Sequence, residues 1–293
     1  VVQFAIQQEA AVQTRAQFRA AVARLTAFRA ADPARRPAVS YRVPEPQLRE
    51  PRVFERLGSA GSAPNGVATL TGALAALHAG KTSAVELTQE AYRAVAAWEA
   101  HVHAFEYLMP QEEALDRAVA LDATPLAQRG PLHGVPLSIK DVIHVAGMPT
   151  TASSTTLHDF VPNVDAAAVA RLRGAGGVLI GKTTTHEFAM GVTTPQSRNP
   201  WDLSRDPGGS SGGAAVSLAT GMALGALGTD TRASIRVPAA LCGTVGFKPT
   251  YGLVSTHGIV MMSSSIDHVA PMARTTQDTA LLLNVLVGHD SHD

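Results

Sequence analysis

Three short stretches decide the fold: GVPLSIKDVI at 134–143, AAAVARLRGAG at 166–176 and GVLIGKT at 177–183. The first and third are apolar runs of strand length that end in a polar residue. The stretch between them has its apolar residues at helical spacing and closes on glycine. Strand, helix, strand in that order is the signature of an α/β sheet with crossover connections. Lys140 closes the first apolar run. Alternation along that strand turns the next residue, Asp141, to the opposite side.

Working outward, helical patterns are expected at 69–79, 84–99 and 110–122. For the second, Ser83 stands as cap with Glu86 three residues on. The small, Ala-rich segment 213–224 reads as a closely packed helix after a Gly-rich loop. Upstream, residues 4–31 suggest an amphipathic helix, and residues 32–66 carry six prolines and read as an extended arm. The expected organisation is therefore an N-terminal helix and Pro-rich arm over 1–66 and a core over 67–293.

Composition narrows the classes. The chain has 293 residues, is 45% hydrophobic and 16% charged, and so can bury a substantial core. Lys plus Arg equals Asp plus Glu at 24 each. No net field draws in nucleic acid or an anionic membrane, and a small or neutral partner fits better. Only four of the basic residues are Lys, which makes a Lys inside an apolar run a notable choice. The single Cys242 excludes an internal disulfide and a Cys-based metal cluster, and its apolar setting suggests packing. No apolar run reaches membrane-spanning length, and the reading is a cytoplasmic protein.

Several motifs are decoys. GGVLIGKT at 176–183 has the spacing of a phosphate-binding loop, but Val178, Leu179 and Ile180 belong in a buried strand, which leaves Lys182 as an exposed strand-end residue. GGSSG matches the nucleophile-elbow pattern at Ser210 and at Ser211, yet the turn-rich NPWDLSRDP precedes it where an elbow needs a strand. His101 and His103, two residues apart, point to different sides of a helix, and no metal is expected. His133, His144, His257 and His268 read as structural or supporting.

Three features remain: GVPLSIKDV, DPGGSSGG and TDTRASIRVPAALCGTVGFKPT. With GMPTTASS at 147, GKTTTHEFAMG at 181, NPWD at 199, KPTYGLVS at 248 and SIDHVAPMAR at 265, the ordered set resembles the amidase signature family over residues 67–293. The resemblance implies an α/β fold, a mixed sheet flanked by helices on both faces, with more chain than ends here at Asp293. It also implies a Ser-Ser-Lys triad: Ser234 as nucleophile, Ser210 as the bridging Ser held by a cis peptide, and Lys140 as base. The backbone N–H groups of Thr231, Arg232, Ala233 and Ser234 would receive the oxyanion. Ser211, Asp230 and Arg236 would support, and Ala189 and Met190 would line the substrate. Where the family usually has two glycines before the nucleophile, this chain has Arg232 and Ala233.

The chemistry fits those roles. A Ser hydroxyl attacks an amide only if something removes its proton, and an ammonium with a pKa of about 10.4 cannot. Burial behind Val135, Leu137 and Ile139 would keep Lys140 neutral. The implied activity is cleavage of a small carboxamide or aryl amide with no cofactor. Two alternatives stay open: the glutaminase subunit of a tRNA-dependent amidotransferase, with partner subunits, or a catalytically dead truncated module. A homodimer also stays open.

Overall fold

The computed structural model describes residues 69–291, so the expected N-terminal helix, the arm and the 66/67 boundary lie outside the described residues. Each of the first two helices starts where its sequence supplies a cap. Helix α1, Leu70–His78, begins after Thr69, whose side chain accepts from Gly72 N. Helix α2, Ala84–Val102, has the capping box expected of Ser83 and Glu86. It stops at His103, whose φ of 49° is left-handed, and the Glu99 carboxylate takes the freed amides of Ala104 and Phe105 at 3.0 Å each. Strand β1, Phe105–Leu108, and helix α3, Gln111–Asp122, follow.

Strand β2, Pro136–Lys140, helix α4, Ala167–Gly174, and strand β3, Val178–Thr183, are the strand, helix and strand read from the sequence. Helix α5, Gly212–Ala219, is shorter than the expected 213–224 because Gly221, at φ 81°, breaks it and turns the chain into β4, Gly225–Thr229. The rest is α6, Arg236–Cys242, β5, Val245–Gly246, β6, Val269–Ala273, and α7, Thr276–Leu286. The described residues thus hold six strands and seven α-helices, and the strand order is β1-β3-β2-β4-β6-β5. β2 is parallel to both β3 and β4; the outer pairings are antiparallel. The sheet is mixed, as expected.

Alternation along the strands splits the core between the two faces. Leu137, Ile139, Leu179 and Leu227 pack with Leu70 of α1, Leu172 of α4 and Leu282 of α7. On the other face Ala226, Ala270 and Met272 meet Val102 of α2, Val216 of α5 and Ile235 beside α6, while Val178 and Ile180 meet Ala91 of α2 and Ala118 of α3. Helices therefore cover both faces. Pro136, Leu137, Ser138, Ile139 and Lys140 are all buried, and Ser138 Oγ lies 2.9 Å from Ser217 Oγ of α5.

Candidate active site

Parallel neighbours end at the same edge of a sheet, and here that rule brings the polar groups together. Ile139 of β2 is in register with Leu227 of β4, so the strands finish side by side at Lys140 and Thr229. Lys140 Nζ donates to Thr229 Oγ1 at 2.7 Å and to Ser210 Oγ at 2.7 Å. All of this is buried: Lys140 and Ser210 have no exposed surface and Thr229 has 3%. Burial pulls the Lys140 ammonium down to about 7, against the opposing pull of the Asp267 and Asp230 charges.

The Ser-Gly loop reaches Lys140 from the adjoining segment. The Gly209–Ser210 peptide is cis, as the resemblance implied for the bridging serine. The Ser210 carbonyl accepts from His186 N at 3.2 Å. No side chain fits at the glycines: a Cβ on Gly209 would lie 2.0 Å from Thr193 O, and one on Gly213 would lie 2.4 Å from Ala104 O. Ser211 Oγ donates to Thr229 O at 3.1 Å, and Ser211 N donates to the Ser234 carbonyl at 2.9 Å. That bond joins the loop to the turn that carries Ser234, itself 4% exposed.

The turn from Asp230 to Ile235 is held from outside. Asp230, with no exposed side-chain surface, accepts from Arg236 Nε at 3.0 Å, Lys248 Nζ at 3.1 Å and Ile235 N at 3.3 Å. Burial pushes its carboxyl up, but Arg236 and Lys248 more than offset this and the net shift is downward. The Arg236 guanidinium also meets the Arg232 carbonyl, and Lys248 Nζ donates to Thr231 O at 2.8 Å. Asp230 and Arg236 brace the turn. Among the described residues the left-handed non-glycines are His103, Ala152, Ser153, Phe188 and Ala189. Arg232 and Ala233 are therefore in ordinary backbone conformations, which need no glycine.

Ala189 is buried in a left-handed conformation and Met190 is 67% exposed beside it. Cys242 is packed as expected, and burial pushes its thiol up to about 12. Among the described residues no group of His, Cys, Asp and Glu could hold a metal, and no helix is long and apolar enough to cross a membrane. One expectation is overturned. Lys182 is fully buried, not exposed: its Nζ lies 2.9 Å from Asp141 Oδ1 and donates to Thr150 Oγ1 at 2.7 Å and Pro149 O at 3.2 Å. The strand runs on into a covered layer, and a buried carboxylate makes a buried ammonium tolerable there. That pairing also turns Asp141 away from Lys140, as strand alternation required.

Three site residues were not legible. Thr229 was passed over as one more small residue in GALGTD. Lys248 and Asp267 lay inside stretches quoted for resemblance only. The one signal present was a charge in a largely apolar or small-residue context, and it applies to Lys248 and Asp267 but not to Thr229.

Comparisons with known proteins agree with the fold. The amidase family model matches residues 86–293. A glutamyl-tRNA(Gln) amidotransferase subunit of Roseiflexus sp. (strain RS-1) is 51% identical over 231 residues, 77% of this chain and 47% of the relative. Native peptide amidase from Stenotrophomonas maltophilia has 38% identity and a TM-score of 0.73 over 78% of this chain and 50% of that one. The corresponding glutamyl-tRNA(Gln) amidotransferase subunit of Thermotoga maritima has 40% identity and a TM-score of 0.64 over 72% and 45%. The chain spans about half the length of the relatives it matches. With its mixed sheet, its Ser-Gly loop and its buried lysine, this chain belongs to the amidase family, the amidase signature proteins.

Proposed function

We propose that the chain carries the amide-cleaving centre of a hydrolase, with Ser234 as nucleophile, Ser210 as relay and Lys140 as base, acting on a small carboxamide through an acyl-enzyme. The observation that carries this reading is the fully buried Lys140 Nζ, 2.7 Å from Ser210 Oγ, with its pKa drawn down to about 7. A neutral amine has one lone pair and two N–H bonds. Thr229 Oγ1 accepts one N–H, which leaves the lone pair free to face the Ser210 hydroxyl.

In this reading neutral Lys140 takes the Ser210 proton as Ser210 takes that of Ser234, and Ser234 Oγ attacks the carbonyl carbon. The C=O electron pair moves onto oxygen. The backbone N–H groups of residues 231–234 receive that oxyanion, and each such donor is worth about 10²–10³ in rate. Collapse breaks the C–N bond, and the relay run backwards protonates the leaving amine or ammonia. Water then hydrolyses the ester by the same path.

A second reading rests on the relatives named as amidotransferase subunits: ammonia freed from glutamine is passed to a partner protein. Fluorophosphonate labelling of the chain tests the nucleophile, with Ser234→Ala as control. Ammonia release from glutamine against simple carboxamides, with and without amidotransferase partner subunits, separates the two readings. Unlabelled protein would support a structural module instead.

A further inference from the structure

The proposed oxyanion donors lie on a turn whose first residue is anchored by a carboxylate that the mechanism above does not use. Asp267 stands two residues before β6 and is 4% exposed. One oxygen, Oδ1, accepts from Thr231 Oγ1 at 2.5 Å; the other, Oδ2, accepts from the amides of Met262 and Ser263 at 2.7 and 2.9 Å. Both oxygens are thus engaged, and each bond is charge-assisted. The backbone runs alongside as well: Asp230 N donates to His268 O at 2.9 Å, and Thr229 is in register with Val269.

We propose that Asp267 is a positioning residue of the active site, whose carboxylate fastens the Thr231 hydroxyl to the 262–263 loop and so fixes the backbone N–H groups of residues 231–234. This rests on the function proposed above. The turn has no glycine and does not belong to a helix, so its direction is set by what grips it. Lys248 holds the Thr231 carbonyl and Asp230 holds the Ile235 amide. Asp267 grips the Thr231 side chain, and through it the turn is joined to the backbone of Met262 and Ser263.

Asp267 also carries charge. The groups that bear on Lys140 are Asp267 and Asp230, both of which raise its pKa; Arg236 and Lys248 are spent on Asp230, and Asp141 is paired with Lys182. Removing the Asp267 charge and removing its grip therefore have different consequences, and Thr231 separates them.

The experiment compares Thr231→Val, Thr231→Ser and Asp267→Asn with the wild-type chain in two measurements. The first is hydrogen exchange of the amides of Ser211, Ile235 and Val237, which donate to the Ser234 carbonyl, the Asp230 carboxylate and the Ala233 carbonyl. The second is the rate of fluorophosphonate labelling against pH. In Thr231→Val the three amides exchange about tenfold faster, the loss of one hydrogen bond to a charged group, while the Val178 amide between β2 and β3 is unchanged. Labelling slows by a similar factor with its pH midpoint unmoved, and Thr231→Ser restores both. In Asp267→Asn, which keeps the shape, the labelling midpoint moves to lower pH. Exchange at the three amides equal to wild type in Thr231→Val overturns the proposal whatever the labelling does. A wild-type chain that never labels refutes the function proposed above and leaves the exchange result to decide this one.

Discussion

Lys182 Nζ and Asp141 Oδ1 face each other at 2.9 Å with neither side chain exposed. Asp141 directly follows Lys140, and Lys182 of β3 is in register with Ile139 of β2, so alternation sends this pair to the side of the sheet away from Lys140. The sheet therefore buries two lysines of opposite character. Lys182 has a carboxylate partner; Lys140 meets the hydroxyls of Ser210 and Thr229. Thr151 N and Oγ1 complete the shell of Asp141 at 2.9 and 2.5 Å, so this pair also secures the 150–153 loop.

Breaking that pair from one side leaves a buried charge alone. Lys182→Met is expected to cost about 3–5 kcal/mol, and adding Asp141→Asn should return part of that loss. Urea midpoints at constant m-value check both. A Lys182→Met variant as stable as wild type would show that the pair contributes nothing to the fold.

Lys140 should set the pH dependence of Ser234 labelling. Its folded pKa lies near 7, below the unfolded value, so the neutral base fills as pH rises through 7 and the labelling rate climbs with it. The stability sign follows by linkage. Between about pH 7 and 10 the unfolded chain holds a proton on Lys140 that the folded chain has lost, so this group contributes a stability that increases with pH over that window. A labelling rate flat from about pH 6 to 9 would remove Lys140 from the relay.

Within the Ser pair the two hydroxyls should separate. Ser210→Ala removes the hydroxyl in contact with Lys140 and is expected to abolish labelling. Ser211→Ala removes a buried bond to the Thr229 carbonyl, and the expected result is a loss of about 1–2 kcal/mol in stability with labelling retained. Thermal melts beside labelling rates distinguish them.

Arg232 and Ala233 stand where the family usually has glycine, in conformations open to any residue. Restoring glycine at both is expected to leave labelling no faster and to lower stability by about 0.5–1 kcal/mol per site through the unfolded state. A large gain in labelling would mean that the Arg232 side chain obstructs the site.

The strand, helix and strand of β2, α4 and β3 were legible because hydrophobic runs and a helical period are local properties. The caps at Ser83 and Glu86 were legible for the same reason. The shortened α5 was missed because Ala-rich composition continues past Gly221, where a positive φ ends the helix. Lys182 was misjudged because strand ends are exposed only when nothing covers them, and Asp141 lies 41 positions away. Lys140, Ser210 and Ser234 came from ordered motifs; the contacts of Thr229 with Lys140 and of Asp267 with Thr231 depend on how β2, β4 and β6 lie side by side, which single-sequence periodicity does not encode.

The glycines around Ser210 have a final consequence for when its contact with Lys140 can form. Gly209 lies against the 193 backbone, Gly212 against Thr194, and Gly213 against residues 104 and 184, each too near to admit a methyl group. Of these, residue 104 is distant along the chain, and it meets residue 184 and the loop only in the completed sheet and helices. A glycine loop has little shape of its own, so the loop takes its form from its surroundings, as a casting does from a mould. Before the mould closes, Ser210 and Lys140 are an ordinary alcohol and an ordinary ammonium, and the 2.7 Å contact between them arrives with the tertiary structure.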